Sequence, residues 1–107
     1  PYRLGQENMP VVTAFVDGDA TADCGTGSYG WNYSSCARTD VGDYTITFAT
    51  GTTTANWVAL CAARGTAGDI CTTSTSNETA TTVRVLRTNA AGAAEEGDVW
   101  LVLFGGN

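Results

Sequence analysis

Hydrophobic and polar positions alternate along short stretches of the chain. Tyr44, Ile46 and Phe48 occupy every second position of one stretch, with threonines between them. A period of two is typical of a strand with one buried face, so these three side chains are predicted to face a core. Similar stretches predict strands at residues 11–16, 31–36, 44–49, 57–63, 70–75, 81–88 and 98–104.

Clusters of Gly, Asp, Asn and Ser separate the predicted strands, as expected for tight connections. Many short strands joined in this way predict an all-β fold, an antiparallel β-sandwich of about seven to eight short strands. Residues 1–10 are polar and irregular and are predicted to form an N-terminal arm or linker, with residues 11–107 forming the sandwich domain.

The last predicted strand is apolar on both faces. Its odd positions carry Val and Leu, and its even positions carry Trp, Val and Phe. A two-layer sandwich covers only one face of a strand, so the second face needs another chain, unless long loops cover a central strand. Residues 57–63 repeat the pattern. We therefore expect an oligomer, with an interface that includes Trp57, Trp100, Val102 and Phe104.

Charge and length limit the classes of function. The chain has 107 residues and a net charge of -6, with five arginines, no lysine and no histidine. The arginines are scattered singly, which argues against binding to the phosphates of a nucleic acid. The longest apolar runs, residues 57–63 and 99–104, are far shorter than the roughly 20 residues that cross a bilayer, so no membrane insertion is expected.

The absence of histidine removes the usual general base and the commonest metal ligand. We therefore predict no enzyme, no cofactor and no metal site. Asp17, Asp19 and Asp23 could supply oxygen ligands to calcium, but Asp-Gly is favoured in turns by backbone geometry alone, which is the preferred interpretation. Glu95 and Glu96 are similarly predicted to lie in a solvated turn before the last strand.

Four cysteines, Cys24, Cys36, Cys61 and Cys71, could form two disulfides or remain free thiols, depending on the compartment. Their spacing favours pairing between neighbours, Cys24 with Cys36 and Cys61 with Cys71. Neither interval resembles the closely spaced pairs of a zinc site.

Tyr29, Trp31 and Tyr33 cluster around two glycines. Aromatic rings on such a loop could bind a sugar or a partner protein, although packing within the core or at an interface explains them equally well. Asn32 and Asn77 each begin a glycosylation acceptor pattern, which matters only in a eukaryotic secretory setting.

Several segments together resemble phage tail-fibre and other virion-surface β-domains. Residues 33–50 are similar to a strand, a Gly-Asp turn and a Tyr-Thr-Val-Thr-Phe strand of that family. The likeness continues through residues 55–59, 81–85 and 98–105, and residues 14–18 resemble the opening strand and turn. The cysteine-containing segments and the Gly-rich aromatic loop depart from the family pattern.

The resemblance implies a compact sandwich that assembles around a threefold axis on a phage particle. The expected function is therefore that of a virion structural protein at the particle surface, either a tail-fibre receptor-binding tip or a capsid decoration or head-fibre protein. Its expected partners are two further copies in a homotrimer, other virion proteins through the N-terminal arm, and a host-surface glycan. The alternatives are a secreted carbohydrate-binding module using Tyr29, Trp31 and Tyr33, and a disulfide-stabilised adhesion module of a cell.

Overall fold

The computed structural model of the chain describes residues 10–21, 24–49, 57–74 and 81–105. These residues form eight strands: β1 (Pro10–Val16), β2 (Tyr29–Trp31), β3 (Tyr33–Asp40), β4 (Asp43–Phe48), β5 (Trp57–Arg64), β6 (Ile70–Ser74), β7 (Thr82–Thr88) and β8 (Asp98–Gly105). The first sheet has the order β2-β1-β8-β5 and the second β3-β4-β7-β6, with all neighbours antiparallel. The predicted antiparallel β-sandwich is confirmed. The predicted arm lies outside the described residues except for Pro10, which begins β1.

The core lies between the two sheets and follows the alternation in the sequence. In β4, Tyr44, Ile46 and Phe48 are buried, as predicted. Their partners on the other strands are mainly branched aliphatic side chains, each of which contributes roughly 1.5 to 3 kcal/mol when fully buried. These partners are Val12, Val16, Val83, Val85, Val99, Leu101 and Leu103.

One predicted strand is wrong. Residues 31–36 do not form a single strand, because β2 ends at Trp31 in the first sheet and β3 begins at Tyr33 in the second. Asn32 between them has a φ of 57°, a left-handed conformation that asparagine tolerates better than most residues. Its side-chain Nδ2 donates a hydrogen bond of 2.9 Å to the carbonyl of Val11, which fixes this crossing from one sheet to the other.

Both disulfides predicted from the spacing are present; one joins strands of the two sheets, and the other joins a loop of the first sheet to a strand of the second. Cys61 of β5 is bonded to Cys71 of β6, and these strands are the edges of their respective sheets. Cys24, in the connection between β1 and β2, is bonded to Cys36 of β3, the opposite edge of the second sheet. The sandwich is therefore closed covalently on both of its open sides.

Glu96 is a hydrogen-bonded centre at one end of the sandwich, so the prediction of a solvated turn there was wrong. Its Oε1 accepts hydrogen bonds from Arg38 Nε at 2.8 Å and from the Gly42 backbone at 3.0 Å. Its Oε2 accepts one of 2.8 Å from the Tyr44 hydroxyl. Burial alone would raise the pKa of Glu96, but the hydrogen bonds from Arg38, Tyr44 and Gly42 outweigh it and hold the pKa below its usual value.

Arg87 is a charged side chain inside the sandwich and is only 3% exposed. Its guanidinium pairs with Asp69 at 2.9 Å and with Glu95 at 2.8 Å. It also donates to the backbone carbonyls of Arg64 and Glu96, both at 3.0 Å. Arg87, near the end of β7, therefore holds together the end of β5 and the loops before β6 and β8. A buried arginine is tolerated in a core only when its charge is paired, and Arg87 meets this condition.

Candidate interaction surface

The two sheets present different chemistry on their outer faces. On the first sheet, the strand registers place apolar side chains side by side on β8 and β5, and one of these rows continues through Phe15 of β1 to Tyr29 of β2. We call this set the apolar face, and it has two halves along the strand direction. The aliphatic half contains Val58, Leu60, Val102 and Phe104, and the aromatic half contains Phe15, Tyr29, Trp100 and Ala62.

The aliphatic half follows directly from the two-sided pattern of β5 and β8. Val58 lies opposite Phe104, and Leu60 lies opposite Val102. Val58 is 64% exposed and Leu60 is 61% exposed, the highest values among the large hydrophobic side chains of the described residues. None of these four side chains has a polar atom that could hold water. This part of the surface therefore gains most from contact with another apolar surface.

The aromatic half is a row of rings on three adjacent strands. Phe15 of β1 is in register with Tyr29 of β2 and with Trp100 of β8. Its ring centroid lies 5.5 Å from that of Tyr29 and 4.7 Å from that of Trp100, distances typical of attractive aromatic pairs. Tyr29 and Trp100 meet edge to face at 6.3 Å. Trp100 remains 43% exposed, so the cluster is open to solvent.

The outer face of the second sheet is mainly polar, with Leu86 and the 48% exposed Ile70 as apolar exceptions where β6 pairs with β7. Thr45 and Thr47 of β4 point outward, as predicted, and Thr72 lies on the same face of β6. Asp43 and Arg84 pair through two hydrogen bonds of 2.9 and 2.7 Å. The hydrogen bond from Arg84 lowers the pKa of Asp43. Threonine hydroxyls and an internally satisfied ion pair keep this face hydrated, so it has little tendency to associate.

The structure divides the residues predicted to bind a ligand or a partner. Tyr29 and Trp31 are exposed on β2, but Tyr33 lies on β3 in the other sheet, opposite Phe48 and packed against the core. The predicted strand at residues 31–36 would place Trp31 and Tyr33 on one face, but the two residues lie in different sheets. The rings that Tyr29 contacts are instead those of Phe15 and Trp100.

The structure also divides the residues predicted to form an oligomer interface. Trp100, Val102 and Phe104 do lie on the outer face of the first sheet. Trp57 is only 6% exposed and packs in the core against Phe48, with ring centroids 5.9 Å apart. Trp57 was therefore wrongly assigned to a surface. Side chains an even number of positions apart in a strand lie on the same face. Cys61 points inward to its disulfide, so Trp57, four positions earlier in β5, points inward as well.

The acidic loop after β1 satisfies its carboxylates internally. Asp17 Oδ2 accepts a hydrogen bond of 3.1 Å from the Gly27 backbone, and Asp19 Oδ1 accepts hydrogen bonds from both the backbone and the hydroxyl of Thr21. The hydroxyl of Thr21 is the main reason that the pKa of Asp19 lies below its usual value. Asp23 lies outside the described residues. Within the described ranges no group of three or more potential metal ligands occurs.

The two glycosylation patterns give no surface-exposed acceptor in the described part of the chain. The Asn32 amide is engaged with the Val11 carbonyl and is partly buried. Asn77 lies outside the described residues.

Comparison with known protein-family models, curated proteins and solved structures finds no match for this chain. The architecture defines the class: an all-β, two-sheet antiparallel sandwich with two disulfides. Disulfides persist outside the reducing cytosol, which indicates an extracellular or otherwise oxidising location. In the described segments, no helix is long and apolar enough to cross a membrane.

Proposed function

We propose that this chain is a non-enzymatic structural module on the surface of a phage particle and that it assembles as a homotrimer through its aliphatic half. The observation that carries the proposal is the contrast between the two outer faces, one apolar and one rich in threonine. Water-exposed Val58 and Leu60 beside Val102 and Phe104 form a contiguous apolar area, the kind of surface that marks a protein interface.

The charge of the chain supports an apolar rather than an ionic contact between copies. Each copy carries a net charge of -6, so copies repel one another at long range. An interface without charged groups at its centre avoids bringing this charge into close contact. Association is therefore expected to strengthen as salt screens the repulsion.

The assignment to a phage particle is supported by the likeness of the β3–β4 hairpin and of β8 to virion-surface domains, whereas the disulfides support only an extracellular or otherwise oxidising location. In this proposal, residues 1–10 attach the module to other virion proteins, and the remaining exposed surface faces the host. The particle location is either a tail-fibre tip or a capsid decoration. Mass spectrometry of purified particles tests it, and consistent absence of the chain from intact particles would contradict it.

Light scattering tests the assembly. The wild-type chain is expected to give the mass of a trimer at micromolar concentration. Leu60→Glu places a charge in the aliphatic half and is expected to give a monomer. Thr72→Glu places the same charge on the outer face of the second sheet and is expected to leave the trimer intact. A wild-type chain that is monomeric at these concentrations would overturn the proposed assembly.

A second candidate is a secreted carbohydrate-binding module. The observation that favours it is the exposure of Tyr29, Trp31 and Trp100 on one face. A glycan array provides the test, with Trp31→Ala as the variant that should lose binding. Absence of binding by the wild-type chain would remove this candidate.

A further inference from the structure

Arg64 differs from the other arginines that the structure describes. Arg38, Arg84 and Arg87 each form a salt bridge with a carboxylate at 2.9 Å or less. Within the described ranges, Arg64 forms no such pair, and its guanidinium carbon lies instead 6.0 Å from the centre of the Phe15 ring. An arginine held by a ring face keeps its N–H groups available for a planar acceptor.

We propose that Arg64 and the aromatic half together form a binding site for a carboxylate-bearing sugar, such as a uronic acid residue of a polysaccharide. The sugar ring lies against Trp100 with the perpendicular Tyr29 ring beside it, and its carboxylate pairs with Arg64. This site is separate from the aliphatic half and does not depend on the assembly of copies.

The exposed rings suit a sugar because a pyranose has two kinds of surface. Its C–H groups form apolar patches with a slight positive charge, which match the negative faces of aromatic rings. Its hydroxyls need partners at the rim, and the Tyr29 hydroxyl and the Trp100 indole N–H are polar groups of that kind. Phe15 lies between these two rings and is in contact with both.

The charge of the chain acts against an anionic ligand, so the carboxylate has to be recognised by a local contact. With a net charge of -6, the protein as a whole repels an anionic ligand. Binding therefore needs a local, directional contact, and arginine can hold a carboxylate through two parallel hydrogen bonds. Asp98 lies opposite Arg64 on β8 and partly offsets its charge. Removing that offset should strengthen binding.

A peptide carboxylate is the competing ligand for Arg64. It supplies the same charge but not a flat patch of C–H groups beside it, so it would use Arg64 without the rings. The observed combination of an unpaired arginine with three exposed or half-exposed rings therefore favours the sugar.

Isothermal titration with an oligogalacturonate tests the proposal, and the matched probe is the same oligosaccharide with its carboxylates reduced to alcohols. The wild-type chain is expected to bind the acidic form about tenfold more tightly than the reduced form, as expected for one charge-assisted contact. Arg64→Gln should lower the affinity for the acidic form to that for the reduced form. Trp100→Ala should abolish binding of both.

Two further variants separate the site from its surroundings. Asp98→Asn should tighten binding of the acidic form and leave the reduced form unchanged. Leu60→Thr in the aliphatic half should change neither, whatever it does to the molecular mass. Circular dichroism verifies that each variant is folded.

Three results would overturn the proposal. They are no binding of the acidic form, equal binding of the acidic and reduced forms by the wild-type chain, and binding of an oligoglutamate peptide as tight as that of the oligogalacturonate. Because light scattering measures the assembly independently, failure of the sugar site and failure of the trimer are distinguishable.

Discussion

The hydroxyl of Tyr44 donates a hydrogen bond of 2.8 Å to Glu96, a residue 52 positions further along the chain. The same hydroxyl accepts a hydrogen bond of 3.2 Å from the backbone of Gly97. A side chain near the start of β4 thereby fixes the start of β8, the strand that carries residues of both halves of the apolar face. The position of the proposed interaction surface thus depends on a polar contact at the end of the core.

Tyr44→Phe is expected to destabilise the fold by about 1 to 2 kcal/mol, because it leaves Glu96 and the Gly97 amide each short of one partner. Urea unfolding followed by circular dichroism measures the change. Tyr29→Phe is the matched control, since the Tyr29 side chain is exposed, and it should change stability by less than about 0.5 kcal/mol. Equal effects of the two variants would contradict the role assigned to Tyr44.

Stability is expected to fall at alkaline pH because of the same tyrosine. Burial is the main reason that the pKa of Tyr44 rises from 10.0 to about 12. The folded state therefore keeps the proton at a pH where the unfolded state loses it. The stabilisation that the buried, protonated Tyr44 gives to the folded state is complete below pH 10 and is lost as the pH rises toward 12. Urea midpoints measured across this range should fall more steeply for the wild-type chain than for Tyr44→Phe.

Stability is also expected to fall in acid. In the folded state the pKa values of Glu96 and Asp43 are lowered, from ordinary values of 4.5 and 3.8 respectively. The stabilisation from these carboxylates is present above those ordinary values and is lost as the pH falls through the lower folded-state values. Unfolding midpoints between pH 6 and pH 2 would measure this loss. Glu96→Gln should be less stable at pH 6 and should lose less stability on acidification.

The two disulfides are expected to differ in their reaction with a reducing agent. Cys24 and Cys36 are buried, whereas Cys61 and Cys71 are partly exposed. Attack by a thiolate needs access to a sulfur atom, so the Cys61–Cys71 bond should be reduced first under native conditions. Timed alkylation with mass spectrometry gives the order, and the reverse order would show that exposure does not control it.

Replacing either pair with alanines should destabilise the fold by about 3 kcal/mol.

The turn at Asn32 offers a prediction about backbone conformation. Asn32→Ala loses the hydrogen bond to Val11 and places a residue with a low preference for positive φ at 57°, so it should destabilise the fold by about 1 to 2 kcal/mol. Asn32→Gly loses only the hydrogen bond and should be less destabilising. Thermal unfolding of the two variants compares these contributions, and a glycine variant less stable than the alanine variant would contradict them.

The strands that alternation defines could be predicted from the sequence. The inward side chains of β4 and the division of β8 into a buried and an outward face follow from a period of two. The break at Asn32 could not be predicted in this way, since aromatic residues favour strands on both sides of it. Periodicity gives the direction of side chains within a strand but not the sheet to which the strand belongs.

The candidate site could be predicted only in part. Tyr29, Trp31 and Trp100 were identified from composition and pattern. Phe15 lies beside Trp100 because β1 pairs with β8. Arg64 reaches the aromatic half because β5 pairs with β8 and because its side chain is long. Contacts between strands distant in sequence carry no local signal. The buried pairing of Arg87 with Asp69 and Glu95 was missed for the same reason.

The two disulfides also determine how the module responds to mechanical load. At one edge the Cys61–Cys71 bond holds β5 of the first sheet to β6 of the second, and at the other edge the Cys24–Cys36 bond holds the β1–β2 connection to β3. A force that pries the two layers apart is therefore opposed by covalent bonds as well as by side-chain packing.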